Sequence, residues 1–433
     1  MSAADETPRA PFSAVDLHAA IDALAARFTE REGTVRAFLP EDGRWARLHR
    51  EADALLAAAS SDALARLPLV GALLGVKDVF RVAGFPTAAG SRLPPELFEG
   101  SEAPSVTALR SAGALVVGKT VSTEFAYFAP GATSNPHDPE RTPGGSSSGS
   151  AAAVGAGLCN LALGTQTIGS ISRPAAYCGV VGFKPTFGRV STDGVVPLAP
   201  SLDHVGCFTP DVAGARAAAQ IWLGPASAAT AVRGAKPRLA VPIGPYLERA
   251  DDDGRVHFAA TVQRLRDAGY DVVEVPAMED FSDIEARHRR IVAAEAAAVH
   301  APWFDAHRAL YAPQTVELVE RGRSMAPEQW RADLGGRDAL RRQLESLLER
   351  RGCDLWLTPA ARGAAPLGLA STGDPVMNLP WTHAGLPTLA LPAGRAVGSR
   401  MPIGIQLAAR AGADLALLDM ALELERALRG TAA

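Results

Sequence analysis

The chain has 433 residues, of which 47% are hydrophobic, and a formal net charge of −4 with a pI near 6.2. A mildly acidic chain without a basic stretch argues against partners such as nucleic acid or an anionic membrane surface. The N-terminal residues lack the basic segment and apolar core of a signal peptide, and no run approaches the roughly 18 apolar residues of a membrane span. Four cysteines are scattered without a Cys-x-x-Cys pair, which predicts free thiols in a reducing cytoplasm: Cys159, Cys178, Cys207 and Cys353.

The N-terminal region reads as two surface helices. Ser13 to Asp16 resembles a capping box in which Asp16 takes the place of Glu at the third position. Apolar residues then follow at helical spacing: Leu17, Ile21, Leu24 and Phe28. A second helix is predicted over about 50–66.

Residues 69–76 are apolar and follow Pro68, which predicts a buried strand that ends at Lys77 and Asp78. A lysine in this place usually extends its side chain into solvent. The alternative is a buried lysine that is neutral near pH 7, because desolvation disfavours the ammonium form. The strand pattern alone leaves both interpretations open.

Two short motifs resemble known catalytic loops, but neither fits its surroundings. Residues 113–120 match the P-loop pattern, yet Leu-Val-Val at 115–117 favours a strand where a phosphate loop must curl. Residues 145–149 match the Gly-x-Ser-x-Gly nucleophile elbow, which needs a strand directly before it. Residues 135–143 contain three prolines and cannot form that strand.

Two clusters of glycine and serine dominate the middle of the chain. The first, 143–150, reads Pro-Gly-Gly-Ser-Ser-Ser-Gly-Ser, and the second, 164–173, reads Gly-Thr-Gln-Thr-Ile-Gly-Ser-Ile-Ser-Arg. The alanine-rich segment between them favours burial, which predicts a helix over about 147–157 rather than a flexible linker. Both loops would present hydroxyls and backbone N–H groups to one space. The alternative is two ordinary turns whose hydroxyls bond their own backbone.

The remaining segments alternate between strands and helices, which argues for a large, mostly parallel β-sheet covered on both faces by helices. Strands are predicted at 114–117, 179–183, 201–208, 238–243, 271–275, 355–357 and 388–391. Helices are predicted at 106–112, 255–268, 283–300, 327–350 and 413–428. Adjacent Asp203 and His204 read as a hydrogen-bonded loop pair rather than triad members, and Cys178 as a small residue packed in a strand.

Several of these segments together resemble the amidase signature family of hydrolases. They are 75–78, 118–126, 143–151, 164–175, 179–186, 201–203 and 402–406. Malonamidase-like members resemble the chain most, partly through residues 370–375. The resemblance covers most of the chain. It implies one amidase signature domain over 1–433, with a core of about 66–225 and a C-terminal α/β portion of about 226–433.

The resemblance also implies a catalytic site. Ser170 matches the nucleophile of the family, Ser146 the bridging serine that sits on a cis peptide, and Lys77 the base. A neutral Lys77 would accept a proton from Ser146 while Ser146 accepts one from Ser170. The backbone N–H groups of the second loop would form the oxyanion hole: Thr167, Ile168, Gly169 and Ser170. No His and Cys cluster has metal-ligand spacing, so we expect neither metal nor cofactor.

One residue departs from the family pattern, which usually has Gly-Gly before the nucleophile and here has Ile168-Gly169. A β-branched residue does not easily adopt a positive φ. Either this position has ordinary extended geometry here, or the oxyanion loop is reshaped. We hypothesise that the Ile168 side chain narrows the acyl pocket, so that Ile168→Gly broadens the range of substrate sizes.

Arg173 gives the clue to the substrate. It lies three residues after Ser170, where malonamidase-like members also have arginine. A guanidinium there could bind a substrate carboxylate through two hydrogen bonds, and Ser146 could also contact the substrate. The alternative is a structural ion pair of Arg173 with Asp193 or Asp203.

The sequence therefore predicts a cytoplasmic amidase that hydrolyses a small linear amide through an acyl-serine intermediate. A monoamide of a short dicarboxylic acid fits the pattern, and family resemblance suggests a homodimer. One alternative is the amidating subunit of a tRNA-dependent amidotransferase, which would need partner subunits. Another is a non-catalytic protein that kept the fold, which only Ile168 favours.

Overall fold

The computed structural model describes residues 16–58, 61–64, 66–224 and 236–430. Its strands are β1 (Leu73–Lys77), β2 (Leu115–Thr120), β3 (Leu161–Gln166), β4 (Val181–Lys184), β5 (His204–Thr209), β6 (Leu239–Ile243), β7 (Val272–Pro276), β8 (Leu355–Pro359), β9 (Thr388–Arg395) and β10 (Pro402–Ala408). They form one ten-stranded sheet in the order β2-β1-β3-β5-β4-β9-β10-β8-β6-β7. The sheet therefore takes strands from both the N-terminal and the C-terminal half of the chain.

Helices flank this sheet. They are α1 (Leu17–Val35), α2 (Arg44–Ala58), α3 (Ser61–Leu64), α4 (Pro104–Ser111), α5 (Ser148–Gly155), α6 (Ser172–Cys178), α7 (Val212–Leu223), α8 (Asp252–Asp267), α9 (Phe281–His300), α10 (Phe304–His307), α11 (Pro313–Arg323), α12 (Pro327–Arg351), α13 (Leu379–His383) and α14 (Asp414–Gly430). None of the helices in the described ranges is both long enough and apolar enough to cross a membrane.

Both faces of the sheet are buried. In β1, Leu74 and Val76 belong to one hydrophobic cluster, whereas Leu73 belongs to another. Side chains alternate between the two faces of a strand, so these clusters lie on opposite sides. Burial on both faces explains why β1 is apolar throughout instead of alternating with polar residues.

The prediction of a large mixed sheet between helices is confirmed, but its emphasis on parallel pairing needs correction. Four of the nine strand pairings are parallel: β1–β2, β1–β3, β6–β7 and β6–β8. The other five pairings, in the middle of the sheet, are antiparallel. Helix–strand alternation did not reveal them, because β4–β5 and β9–β10 are consecutive strands without an intervening α-helix.

Most predicted elements exist with shifted ends. Strand 69–76 shortens to β1, and helix 50–66 begins earlier, at Arg44. Elements β3, β10, α6, α7, α10, α11 and α13 were not predicted from the sequence. The interpretation of Asp16 was wrong: it is the N-cap of α1, with an extended backbone and a side chain that accepts a hydrogen bond from Ala19 N at 3.0 Å. Ser13, the predicted start of the capping box, lies outside the described residues.

Helix α5 packs directly against the end of β2, and this contact fixes the first serine-rich loop. Gly149 N donates to Val121 O at 3.0 Å, and a Cβ on Gly149 would lie 2.4 Å from both Ala37 O and Val121 N. Such distances leave no room for a side chain. The glycine therefore brings the helix, and the loop before it, up to the backbone of the β2 end.

We predict that Gly149→Ala destabilises the protein by about 2–3 kcal/mol, because the added methyl group overpacks a site walled by backbone atoms. Gly335 is a matched control because it is an exposed residue within α12. A Cβ added at Gly335 would have no neighbouring atoms within 4 Å. Gly335→Ala should stabilise the protein by about 0.5–1 kcal/mol through helix propensity. Urea unfolding of both variants measures these changes in the free energy of unfolding. Changes of the same sign in the two variants would contradict the prediction.

Candidate active site

The predicted catalytic residues meet where three neighbouring parallel strands end. Strands β2, β1 and β3 run parallel side by side, so their carboxyl ends lie at one edge of the sheet. Lys77 is the last residue of β1, and the second serine-rich loop begins directly after β3. Ligands of open α/β sheets typically bind beyond this edge.

Lys77 is fully buried, which decides between the two interpretations of this residue in favour of the buried one. Its Nζ lies 2.7 Å from Ser146 Oγ and 2.7 Å from Thr165 Oγ1, within hydrogen-bonding distance of both. Burial lowers the pKa of Lys77 well below its ordinary value, and the nearby charge of Asp203 opposes this only in part. The environment therefore favours a neutral amine that can accept a proton.

Ser146 and Ser170 are in contact as predicted, but the contact uses the backbone N–H of Ser146 and not its hydroxyl. Ser146 N donates to Ser170 Oγ at 3.1 Å. A hydrogen bond between the two hydroxyls is absent from the described part of the chain. The loop turns at Gly144 and Gly145, whose φ angles are +81° and +63° and whose missing side chains admit Tyr177 and Pro174.

The expected cis peptide at Ser146 is wrong, since all peptide bonds among the described residues are trans. The trans form is favoured at residues other than proline. Two glycines with positive φ make the turn, and the Ser146 hydroxyl still reaches Lys77 Nζ.

Two other hydroxyls of the first cluster bond a neighbouring strand instead of their own loop. Ser147 Oγ donates to Thr165 O at 3.1 Å, and Ser150 Oγ donates to Leu163 O at 2.7 Å. The interpretation as two independent turns is therefore wrong, because these serines attach α5 to β3. That attachment fixes the distance between the two loops.

The backbone N–H groups proposed for the oxyanion hole are free of protein acceptors. Within the described ranges, no hydrogen bond to protein uses the N–H of Thr167, Ile168, Gly169 or Ser170. Ile168 is not among the residues with positive φ, so ordinary geometry holds there and isoleucine causes no backbone strain. Its side chain is 7% exposed and belongs to a hydrophobic cluster that includes Leu198 and Trp381. That Ile168 narrows the acyl pocket stays a prediction.

Asp203 forms a hydrogen bond to residues 167–170, the segment that we call the oxyanion loop. Its carboxylate accepts hydrogen bonds from Thr167 Oγ1 at 2.5 Å, Leu198 N at 2.9 Å and Ala199 N at 3.0 Å. Burial raises the pKa of Asp203 to about 6 although these hydrogen bonds favour the charged form. The predicted pairing with His204 is wrong, since His204 Nδ1 faces the carbonyl oxygen of Leu202 at 2.6 Å.

Arg173 is buried in α6 and forms neither of the predicted ion pairs. Its Nε donates to Thr372 O at 2.9 Å and its Nη2 to Thr372 Oγ1 at 3.2 Å. Its Nη1 is buried and has no partner among the described residues. Burial lowers the pKa of Arg173 to about 10, although the charges of Tyr177 and Asp374 oppose the shift.

Cys178 lies at the end of α6 and not in a strand. Burial raises the pKa of its thiol, which keeps the sulfur protonated and a poor nucleophile. The prediction of a small packed residue holds, but its element was wrong. The αL turn at Gly179 separates this helix from β4.

Sequence reasoning missed several residues that contact the site: Thr165, Gln166, Thr372 and Thr382. Thr165 and Gln166 stand inside the second cluster, so their place in that motif was an available signal. Thr372 stands in the segment 370–375 that contributed to the family resemblance, although no role was given to it there. No local pattern connects Thr382 to Ser170, which lies some 200 residues earlier in the chain.

Solved structures with similar folds extend over nearly the whole chain. A crystal structure of an amidase is 33% identical with a TM-score of 0.84, covering 95% of this chain and 96% of that one. Native peptide amidase from Stenotrophomonas maltophilia is 26% identical with a TM-score of 0.77, covering 96% and 94%. The fold and these relatives define an amidohydrolase that acts on carbon–nitrogen bonds.

The family model named Amidase matches residues 44–418, and the chain belongs to this family. Among curated relatives, the A-subunit of glutamyl-tRNA(Gln) amidotransferase from Nitratidesulfovibrio vulgaris (strain DP4) is 35% identical, covering 96% of this chain and 97% of the relative. Its counterpart from Anaeromyxobacter sp. (strain K) is 33% identical, covering 94% and 92%.

The buried amine of Lys77 makes stability depend on pH in a defined direction. Between its lowered folded-state pKa and the ordinary value, the unfolded chain holds a proton that the folded chain does not. The free energy of unfolding therefore rises with pH in this window, by up to about 1.4 kcal/mol per pH unit. Lys77→Met should lose this slope.

Urea unfolding of both proteins at pH 7, 8 and 9 checks this prediction. The difference in unfolding free energy, wild type minus Lys77→Met, should increase with pH. A difference that stays constant would mean that Lys77 remains an ammonium ion in the folded protein.

Proposed function

We propose that the chain hydrolyses a small linear amide through an acyl intermediate on Ser170, with Lys77 as base and Ser146 as proton bridge. Two contacts of Ser146 carry this proposal. Its Oγ lies 2.7 Å from the buried amine of Lys77, and its backbone N–H donates to Ser170 Oγ at 3.1 Å. An amide has a poor leaving group, so the site must both activate the nucleophile and return a proton to nitrogen.

The reaction would begin when neutral Lys77 takes the proton of Ser146 while Ser146 takes that of Ser170. Ser170 Oγ then forms a bond with the amide carbon, and the carbonyl oxygen becomes an oxyanion near the free N–H groups of the loop. Reversal of the proton path delivers a proton to the nitrogen as the carbon–nitrogen bond breaks. Water hydrolyses the acyl ester by the same path. Rotation about Cα–Cβ of Ser170 would bring the two hydroxyls together, since catalytic hydrogen bonds often tighten only with substrate bound.

The surroundings of Arg173 support the proposal that the substrate amide carries a carboxylate. The buried guanidinium has an unpartnered Nη1, and the charges of Tyr177 and Asp374 offset its desolvation only in part. A substrate carboxylate would supply the missing negative charge at Arg173, which lies three residues after Ser170 in the sequence. A monoamide of a short dicarboxylic acid, as in malonamidase-like members, meets this requirement.

We predict that wild type releases ammonia from such amides and that Ser170→Ala and Lys77→Met lower kcat by about four orders of magnitude or more. An ammonia assay over malonamate, succinamate, glutaramate, glutamine and neutral amides of equal length measures this. Ammonia release by Ser170→Ala at the wild-type rate would contradict the proposed nucleophile.

Arg173→Met should raise KM for the acidic amides by about 30-fold or more, because the buried cation that pairs with the carboxylate is lost. KM for neutral amides of the same length should change little. An equal rise for both series would exclude carboxylate capture. Arg173→Lys tests the two-pronged geometry, since lysine keeps the charge without the planar fork.

A second candidate is the amidating subunit of a tRNA-dependent amidotransferase. The curated relatives carry that name at up to 35% identity over nearly their whole length, and they favour this candidate over a free-standing hydrolase. Glutamine also combines an amide with a carboxylate, so the unpartnered guanidinium of Arg173 is compatible with both. Ammonia release from glutamine that appears only with partner subunits and charged tRNA would support it. Release from malonamate by the chain alone would support the first.

A further inference from the structure

The oxyanion loop can work only if its N–H groups keep pointing toward the reacting carbonyl. In a trans peptide, the C=O and the N–H of the same unit point in opposite directions. The carbonyl of Ile168 and the N–H of Gly169 belong to one such unit. A hydrogen bond that fixes the direction of Ile168 O therefore also fixes the Gly169 N–H in the opposite direction.

Thr382, in α13, holds that carbonyl. Its Oγ1 donates to Ile168 O at 2.7 Å, and the side chain is fully buried. The same hydroxyl lies 3.2 Å from Asn378 O, but one proton favours the shorter contact. As a donor, the Thr382 hydroxyl therefore bonds the loop.

Gln166 fixes the direction of the Thr382 hydroxyl. Its Oε1 accepts hydrogen bonds from Ile171 N at 2.8 Å and Ser172 N at 2.9 Å, which leaves Nε2 as the donor to Thr382 Oγ1 at 2.9 Å. Since Gln166 Nε2 occupies a lone pair of Thr382, the Thr382 proton is directed to Ile168 O. Gln166 thus holds both ends of the loop, and Thr382 holds its middle.

The segment around Thr382 also fits the loop closely. A Cβ on Gly169 would lie 2.5 Å from Asn378 Oδ1, so the second residue of the unit lies flush against the start of α13. Isoleucine at 168 limits backbone rotation compared with the glycine usual in the family. The loop is therefore held by one directed hydroxyl, one close contact and one β-branched residue.

We propose that Thr382 is a positioning residue that aims the Gly169 N–H into the oxyanion hole, an inference that rests on the proposed function of Ser170. Nothing places Thr382 in contact with substrate, so it acts through the peptide between Ile168 and Gly169. Its loss should lower the rate of forming a tetrahedral species and leave substrate binding nearly unchanged.

The test compares Thr382→Val, which keeps the shape and removes the hydroxyl, with Thr382→Ser, which keeps the hydroxyl. Thr382→Val should lower kcat for the best amide by about 10- to 100-fold with KM within about threefold, and Thr382→Ser should restore most of it. Assays run well below the melting temperature of each variant. A merely structural role would lower the melting temperature of Thr382→Val without this fall in kcat.

A second readout needs no amide substrate. A fluorophosphonate forms a tetrahedral adduct on an activated serine, and its phosphoryl oxygen occupies the oxyanion hole. Labelling of Ser170 should slow about 10- to 100-fold in Thr382→Val and stay within about threefold in Thr382→Ser. If Thr382→Val does not fold, Thr382→Ala takes its place with the same expectation.

The outcomes separate the two claims. Wild-type labelling on Ser170 combined with an equally fast Thr382→Val or Thr382→Ala variant overturns the role of Thr382 and leaves the proposed function standing. A wild type that neither releases ammonia nor labels on Ser170 overturns the proposed function and the role of Thr382 with it.

Discussion

The burial of one lysine amine at the end of β1 is the constraint on which the site depends. An ammonium ion in that position would lose its hydration without a directly paired carboxylate, and its hydrogen-bonding neighbours are the hydroxyls of Ser146 and Thr165. The desolvation that makes the position costly also lowers the pKa of the amine, which favours the neutral form that the proposed proton transfer needs. Burial of Lys77 therefore links the stability of the fold to the proposed proton transfer.

The second constraint is the loop from Gln166 to Ser170. Unpaired N–H groups are costly when buried, and a loop that keeps several of them free must be held by its other atoms. Here the anchors are side chains from elements far apart in sequence, namely Asp203 at Thr167 and Thr382 at Ile168. The free donors are consecutive N–H groups of one short loop, and free backbone N–H groups are what stabilisation of a developing oxyanion requires.

Arg173 is a buried cation on α6, the helix that follows Ser170. Its carbonyl and hydroxyl partners on Thr372 orient the guanidinium but do not neutralise it. Membership in the Amidase family accounts for cleavage of the carbon–nitrogen bond, whereas the proposed carboxylate contact of Arg173 would decide which amide is bound. The proposed catalytic cluster and the proposed substrate contact therefore lie on different residues.

From the sequence by itself, the resemblance to the amidase signature family pointed to Lys77, Ser146 and Ser170, whereas the strand pattern alone left the burial of Lys77 open. The sequence also determined the helix between the two loops, the apolar strand β1 and the mixed α/β architecture. Only the tertiary structure decided that the central pairings are antiparallel, that Ser146 is reached through trans peptides, that Asp203 bonds Thr167 instead of His204, and that Arg173 meets Thr372. The physical reason is range. Helix and strand periodicity reports contacts within a few residues, whereas hydrogen bonds between positions some 40 to 200 residues apart depend on how the sheet closes around them.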